Sequence, residues 1–274
     1  NGMVQRSFYP SIFFGGALNP GMSGGPALDA DSRVIGVNVA RRVGAEQISF
    51  LVPVQFVREL VESARDSTPF EGAAHAEVAR QLHRHQQLLT QRVLDAPRRT
   101  ERYGLYLIKL PSEALAHCWS RGRKQRSKSL LDYERSECSI DSELFTGEGD
   151  VGGLAMRYES FSSARLSRWQ FAHVLGRSFG NEPLRSGSRR GRTEFECEEQ
   201  FVEAGKRLPL RAVLCLSAYR KFKDLYEMAL LVVSVDRPNA GLVARLDVTG
   251  IDVDNAHRLA AHYLRGISGA ERDD

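Results

Sequence analysis

The chain has 274 residues, 42% of them apolar and 26% charged, with 38 Lys and Arg against 34 Asp and Glu. That balance excludes disordered and collagen-like chains, and no apolar run approaches the roughly 18 residues that a membrane-spanning helix needs. The formal charge of +4 is small for the length and lies wholly in residues 67–274, so it does not by itself imply a polyanionic partner.

The length predicts two domains. The chain opens on Asn1-Gly2-Met3 within what reads as the approach to a strand, without an export-signal pattern, so upstream sequence is expected. Phe8 to Leu18 is apolar and glycine-bearing, and Asn19-Pro20-Gly21 then breaks the run with turn chemistry. Ala27-Leu28 starts a short strand, Asp29 to Ser32 reads as a hairpin turn, and Val34 to Val39 returns as a β-branched strand. Gln47 to Val52 is a further strand after a turn at Gly44. Pro53 marks a helix start, and Phe56, Val57, Leu60, Val61 and Ala64 recur at helical spacing through Arg65, which predicts that Phe56, Val57 and Leu60 point inward.

Residues 67–102 carry Pro69, Gly72 and Pro97 around a polar helical stretch, Ala74 to Leu94, whose apolar stripe (Leu82, Leu88, Leu89, Val93) is sparse. A linker helix is the expectation. From Tyr103 the apolar runs change character: Tyr103–Leu110, Leu154–Tyr158, Leu210–Leu216, Met228–Val235 and Leu242–Val248 read as strands, and 165–179 and 252–266 as helices. An α+β domain with an antiparallel sheet follows.

The most informative stretch is Gly21-Met22-Ser23-Gly24-Gly25-Pro26. At average residue usage, G-x-S-G-G-P arises on the order of once per million starting points. A serine hydroxyl is a weak nucleophile until a base takes its proton, and the oxyanion that forms needs preset backbone N–H groups. Glycines flanking the serine let the backbone curl and a substrate come close.

Three blocks in order, Asn19 to Leu28, Val34 to Asn38 and Ile48 to Val54, resemble the bacterial HtrA-type branch of the trypsin-like serine peptidases. The resemblance covers residues 1–66. It implies that Ser23 is the nucleophile, that the N–H groups of Gly21 and Ser23 form the oxyanion hole, and that Ala17, Val39, Ala40 and Arg41 line the primary specificity pocket. Met22 stands where digestive relatives carry an aspartate that pairs with a freshly cut N-terminus, so activation by that route is not expected; Ala17 supplies no acid at the pocket base, so a preference for Lys or Arg at the cleaved bond is not expected either. In this fold the triad runs His, Asp, Ser along the chain, yet residues 1–22 hold neither His nor Asp, and all seven histidines follow the serine. The isolated chain is therefore expected to be inactive, with its base and acid upstream.

No cofactor or metal is expected. The cysteines (Cys118, Cys138, Cys197, Cys215) form no C-x-x-C pair, and His83 and His85 are two apart where a helical metal pair needs four. Free buried thiols are the expectation. Arg121 to Lys128 holds five cations and Arg185 to Arg192 four more, but no aromatic residues interleave them, so they read as solvated loops and nucleic acid is not the expected partner. Glu196, Glu198 and Glu199 read as a solvated edge. No PDZ-like continuation is evident after the peptidase segment.

The sequence thus predicts a mainly β plus α+β chain: the second β-barrel half of a trypsin-like domain (1–66), a helical linker (67–102) and an α+β accessory domain (103–274). The implied function is serine endopeptidase action on a peptide or protein substrate. The alternative is an inactive peptidase-like scaffold whose C-terminal domain binds protein or nucleic acid. The missing N-terminal barrel should leave an apolar face near Phe8, Ile12, Phe13 and Phe14 open to self-association. The compartment is open between bacterial cytoplasm and periplasm.

Overall fold

The computed structural model describes residues 2–4, 11–41, 49–68, 71–123, 130–140, 142, 144–146, 150–180, 182, 184, 191–205 and 207–270. Two compact units divide at Gly72 and Ala73. The class is mixed, mainly β with α+β character.

The first unit contains β1 (Gly2–Val4), β2 (Ser11–Phe14), β3 (Pro26–Leu28), β4 (Val34–Arg41), β5 (Ser49–Pro53) and α1 (Val54–Ala64). The strands form one antiparallel sheet in the order β1-β2-β5-β4-β3. β3 and β4 join through Asp29–Arg33, where the Asp29 carboxylate accepts from the amides of Asp31 and Arg33 at 2.9 Å each and Ser32 takes a positive φ. Gly36 lets β4 and β5 approach: a Cβ there would stand 2.6 Å from the Val52 carbonyl oxygen. The Gly44 turn and Phe8 lie outside the described residues.

The apolar core of this unit is small. Among the described residues, its buried apolar side chains are Leu18, Ala27, Leu51 and Pro53. α1 starts directly after Pro53, as expected, but none of its residues is buried. Phe56 and Val57 are half-buried, whereas Leu60 is 68% exposed and Val61 55%, so the expected inward packing of Leu60 does not occur. The helical spacing was right; the sheet simply offers nothing for that end of the stripe to cover. Ile12, Phe13 and Phe14 are half-buried, with Phe13 edge-on to Phe50 at 6.4 Å.

The second unit contains α2 (Ala74–Asp95), β6 (Arg98–Tyr103), β7 (Tyr106–Pro111), β8 (His117–Arg123), β9 (Asp132–Ile140), β10 (Leu144–Phe145), β11 (Asp150–Val151), β12 (Leu154–Ser162), α3 (Arg168–Gly180), β13 (Glu196–Ala204), β14 (Leu208–Ala218), β15 (Tyr226–Ser234), β16 (Ala240–Ile251), α4 (Val253–Leu264) and β17 (Ile267–Gly269). A seven-stranded antiparallel sheet runs β13-β14-β15-β16-β12-β9-β8; β17-β7-β6 and β10-β11 form smaller sheets. The Tyr103–Leu110 run is a hairpin and not one strand, because Gly104 at φ +56° turns the chain between Tyr103 and Tyr106.

Alternation along the strands gives the large sheet two faces. Met156, Tyr158, Leu246, Met228 and Leu230 lie on one, and α2 and α4 cover it, with Val93, Leu259 and Tyr263 meeting Met156, Tyr158 and Leu246. The Tyr158 and Tyr263 rings stack at 5.0 Å, and burial pushes both phenols up. On the opposite face α3 packs Phe171, Leu175 and Phe179 onto Leu231, Val233 and Val243.

α2 does not stand apart as a linker. It buries Leu82, His85, Gln86, Leu89, Thr90 and Val93 within the second unit. Its buried polar groups find partners far along the chain: the Gln86 amide donates to Asp252, Asn255 donates back to Gln86, and a His85 ring nitrogen faces the Ser142 carbonyl at 3.2 Å. Nor are the cysteines free. Strand register sets Cys118 opposite Cys138 and Cys197 opposite Cys215, and both pairs are disulfides. Residues 124–128 and 185–190 of the two basic stretches lie outside the described residues. Arg192 is no solvated loop cation: it is 4% exposed, paired to Glu227 and set 4.6 Å from the Tyr219 ring centroid.

Candidate active site

Asn19–Gly25 forms a loop between β2 and β3, and its local chemistry explains the shape. The Met22 amide donates to the Asn19 carbonyl at 3.1 Å, and the Gly25 amide donates to the Met22 carbonyl at 3.1 Å, closing two successive turns. Gly21 at φ +95° and Gly24 at φ +83° take the left-handed conformation that these turns need and that L side chains resist. Gly25 is held close by its neighbours, since a Cβ there would stand 3.2 Å from the Met22 carbonyl oxygen and 3.7 Å from Asn38 Nδ2.

The loop is fixed to β4. The Gly24 amide donates to the Asn38 carbonyl at 2.8 Å, and the Asn38 amide donates to the Gly25 carbonyl at 2.9 Å. From β5, the buried Ser49 hydroxyl donates to the Gly16 carbonyl at 2.8 Å, anchoring the chain that leads into the loop. The three sequence blocks quoted above are thus parts of one device: loop, clamping strand and anchoring strand.

The result is a sorted set of backbone donors. Met22, Gly24 and Gly25 spend their N–H groups inside the fold, while among the described residues those of Gly21 and Ser23 have no acceptor. Ser23 itself is exposed in the turn. Ser23 thus lies beside two backbone N–H groups, its own and that of Gly21, that have no acceptor among the described residues.

Of the expected pocket residues, Ala17 is exposed and Val39 is 45% exposed on β4; the side chains of Ala40 and Arg41 lie outside the described residues. Sequence reasoning gave Asn38 no role, yet it is 5% exposed and its Oδ1 has no partner among the described residues. A polar side chain directly under a serine loop was the available signal. The first unit holds no histidine, since the seven begin at His75. Among the described residues no group of His, Cys, Asp and Glu is placed to hold a metal.

No protein-family model matches the chain. Two curated proteins match locally: "Putative serine protease HhoB" of Synechocystis sp. (strain ATCC 27184 / PCC 6803 / Kazusa), 47% identical over 47 residues, and "Putative protease Do-like 14" of Arabidopsis thaliana, 37% identical over 51 residues. The matches cover 17% and 19% of this chain but only 11% and 12% of those proteins. They support a relationship to proteases over a short segment. Among solved structures, cyanobacterial PsbP (CyanoP) from Synechocystis sp. PCC 6803 aligns over 64% of this chain and 93% of its own, at 10% identity and a TM-score of 0.32.

Proposed function

We propose that residues 1–66 are the serine-bearing second half of a trypsin-like, HtrA-type endopeptidase domain and that the second unit is its α+β accessory. Ser23 attacks the peptide carbonyl, and the Gly21 and Ser23 amides receive the oxyanion. A histidine N-terminal to Asn1 takes the hydroxyl proton and later returns it to the leaving amine, and an upstream aspartate orients that histidine, in the chain order of this mechanism. Ala17 and Val39–Arg41 line the primary pocket, which has no acid at its base. Asn38 is a positioning residue that carries the loop through its main chain.

The observation that carries this reading is the sorting of the amides: three are spent inside the fold, and the two flanking Met22 have no acceptor among the described residues. The small core of the first unit supports a partner barrel, because the four apolar side chains buried among its described residues are few for a self-sufficient fold. Absence of histidine from that unit favours, for the 274-residue chain alone, the second reading of an inactive scaffold. The two disulfides support an oxidising compartment, the periplasmic alternative.

The test is hydrolysis of an unstructured protein substrate by the longer protein that includes the upstream sequence. Cleavage abolished by Ser23→Ala is expected; undiminished cleavage by that variant would overturn the reading.

A further inference from the structure

α3 covers only part of its face of the large sheet, and among the described residues nothing covers the part toward β8. There a groove of about 430 Å³ runs over β8, β9 and β12. Register orders its side chains in three rows, spaced about 7 Å apart by the strand rise. Trp119 stands opposite Glu137, Arg121 opposite Arg135, and Tyr133 opposite Phe161. Trp119 and Tyr133 leave 43% and 37% of their surfaces in solvent, and the Trp119 indole N–H donates to Glu137 at 3.0 Å, which fixes its ring.

The middle row is the unusual one. Two arginines directly opposite on an antiparallel pair repel each other. Arg135 is compensated, by Glu137 and by Glu159 at 3.0 Å. Arg121 has no ion pair among the described residues. Among the described residues, the groove therefore presents Arg121 as an uncompensated cation between two exposed aromatic rows.

We propose that this groove binds single-stranded nucleic acid, with bases stacked on Trp119 and Tyr133 and the intervening phosphate on Arg121. Base stacking on exposed sheet aromatics is sequence-tolerant and needs only flat faces, which this surface supplies. An acidic peptide offers no plane to the rings, whereas bases stack on them and their amino groups can donate to the Glu137 and Glu159 carboxylates. The sequence argued against nucleic acid because no aromatics interleave the basic stretch; the fold sets Tyr133 of β9 and Phe161 of β12 beside Trp119, which precedes that stretch on β8. This groove belongs to the second unit, so its ligand is independent of the chemistry at Ser23.

The test is fluorescence anisotropy of a labelled oligodeoxycytidylate of about twelve nucleotides with the 274-residue protein. Micromolar binding is expected, weakened about tenfold or more by Trp119→Ala, largely retained by Trp119→Phe, and unaffected by Phe201→Ala at the opposite edge of the sheet. Arg121→Gln should weaken binding and flatten its salt dependence by about one unit of logarithmic slope. No binding at tens of micromolar, binding indifferent to Trp119→Ala, or displacement of the probe by polyglutamate more readily than by unlabelled oligonucleotide would each overturn the proposal.

Discussion

The Gly24 amide donates to the Asn38 carbonyl at 2.8 Å, so the position of the serine loop depends on the conformation of one glycine and the main chain of one strand. Gly24 has no heavy atom within 4 Å of an added Cβ, and Gly24→Ala therefore tests the left-handed backbone alone. A loss of about 1 kcal/mol in local stability is expected. Gly36→Ala drives a Cβ into the Val52 carbonyl and should cost about 2–3 kcal/mol by forcing β4 from β5. Hydrogen exchange across residues 34–41 checks both; equal protection in the two variants would contradict the distinction.

The cysteines should give no reactive thiol in denaturant without reductant. The two bridges span 20 and 18 residues, and loop entropy assigns each about 3 kcal/mol of stabilisation. Reduction should lower the urea midpoint of the second unit accordingly; four titratable thiols in the unreduced protein would refute the pairing.

This pairing also marks what the sequence could not disclose. The serine loop, the hairpin at Asp29–Arg33 and the helix after Pro53 were legible because turn residues and local periodicity encode them within a few positions. Strands β12, β14, β15 and β16 were legible from their apolar runs. The outer strands β8, β9 and β13 were not, because a strand at or near the sheet edge carries polar residues on both faces, as Glu196, Glu198 and Glu199 do. α2 read as a linker since its buried face carries Gln86 and His85 beside Leu82, Leu89 and Val93, and the partners of those two polar groups lie 166 and 57 positions away. Groove and disulfides both depend on register between segments, which no single segment reveals.

Stability should fall as pH drops from 6.5 toward 4. Burial, then the neighbouring Arg98 and Arg265 cations, push His262 down from 6.5 to about 4, and burial lowers His85 as well. In that window the unfolded chain binds more protons than the folded one, so the contribution is complete above about 6.5 and is lost on acidification. His262→Gln should shrink the difference between the urea midpoints at about pH 7 and pH 5; an unchanged or larger difference would contradict the assignment.

The exposed end of the α1 stripe should bind a hydrophobic dye. Leu60 and Val61 present 68% and 55% of their surfaces, and Met22, Leu28 and Val34 are also exposed on the first unit. Replacing Leu60 and Val61 by Glu should reduce dye binding while changing stability by no more than about 0.5 kcal/mol, since neither side chain is buried. Undiminished dye binding, or a large destabilisation, would place the apolar surface elsewhere.

The most direct measurement of the central claim is mass-spectrometric mapping of a fluorophosphonate adduct. Such a probe reports a serine whose proton is removed by a base and whose oxyanion is held by preset amides. The 274-residue chain should remain unlabelled, and the protein extended upstream should carry one adduct, on Ser23, lost in Ser23→Ala. An adduct on the 274-residue chain, or an adduct on the extended protein at any serine other than Ser23, would contradict the account.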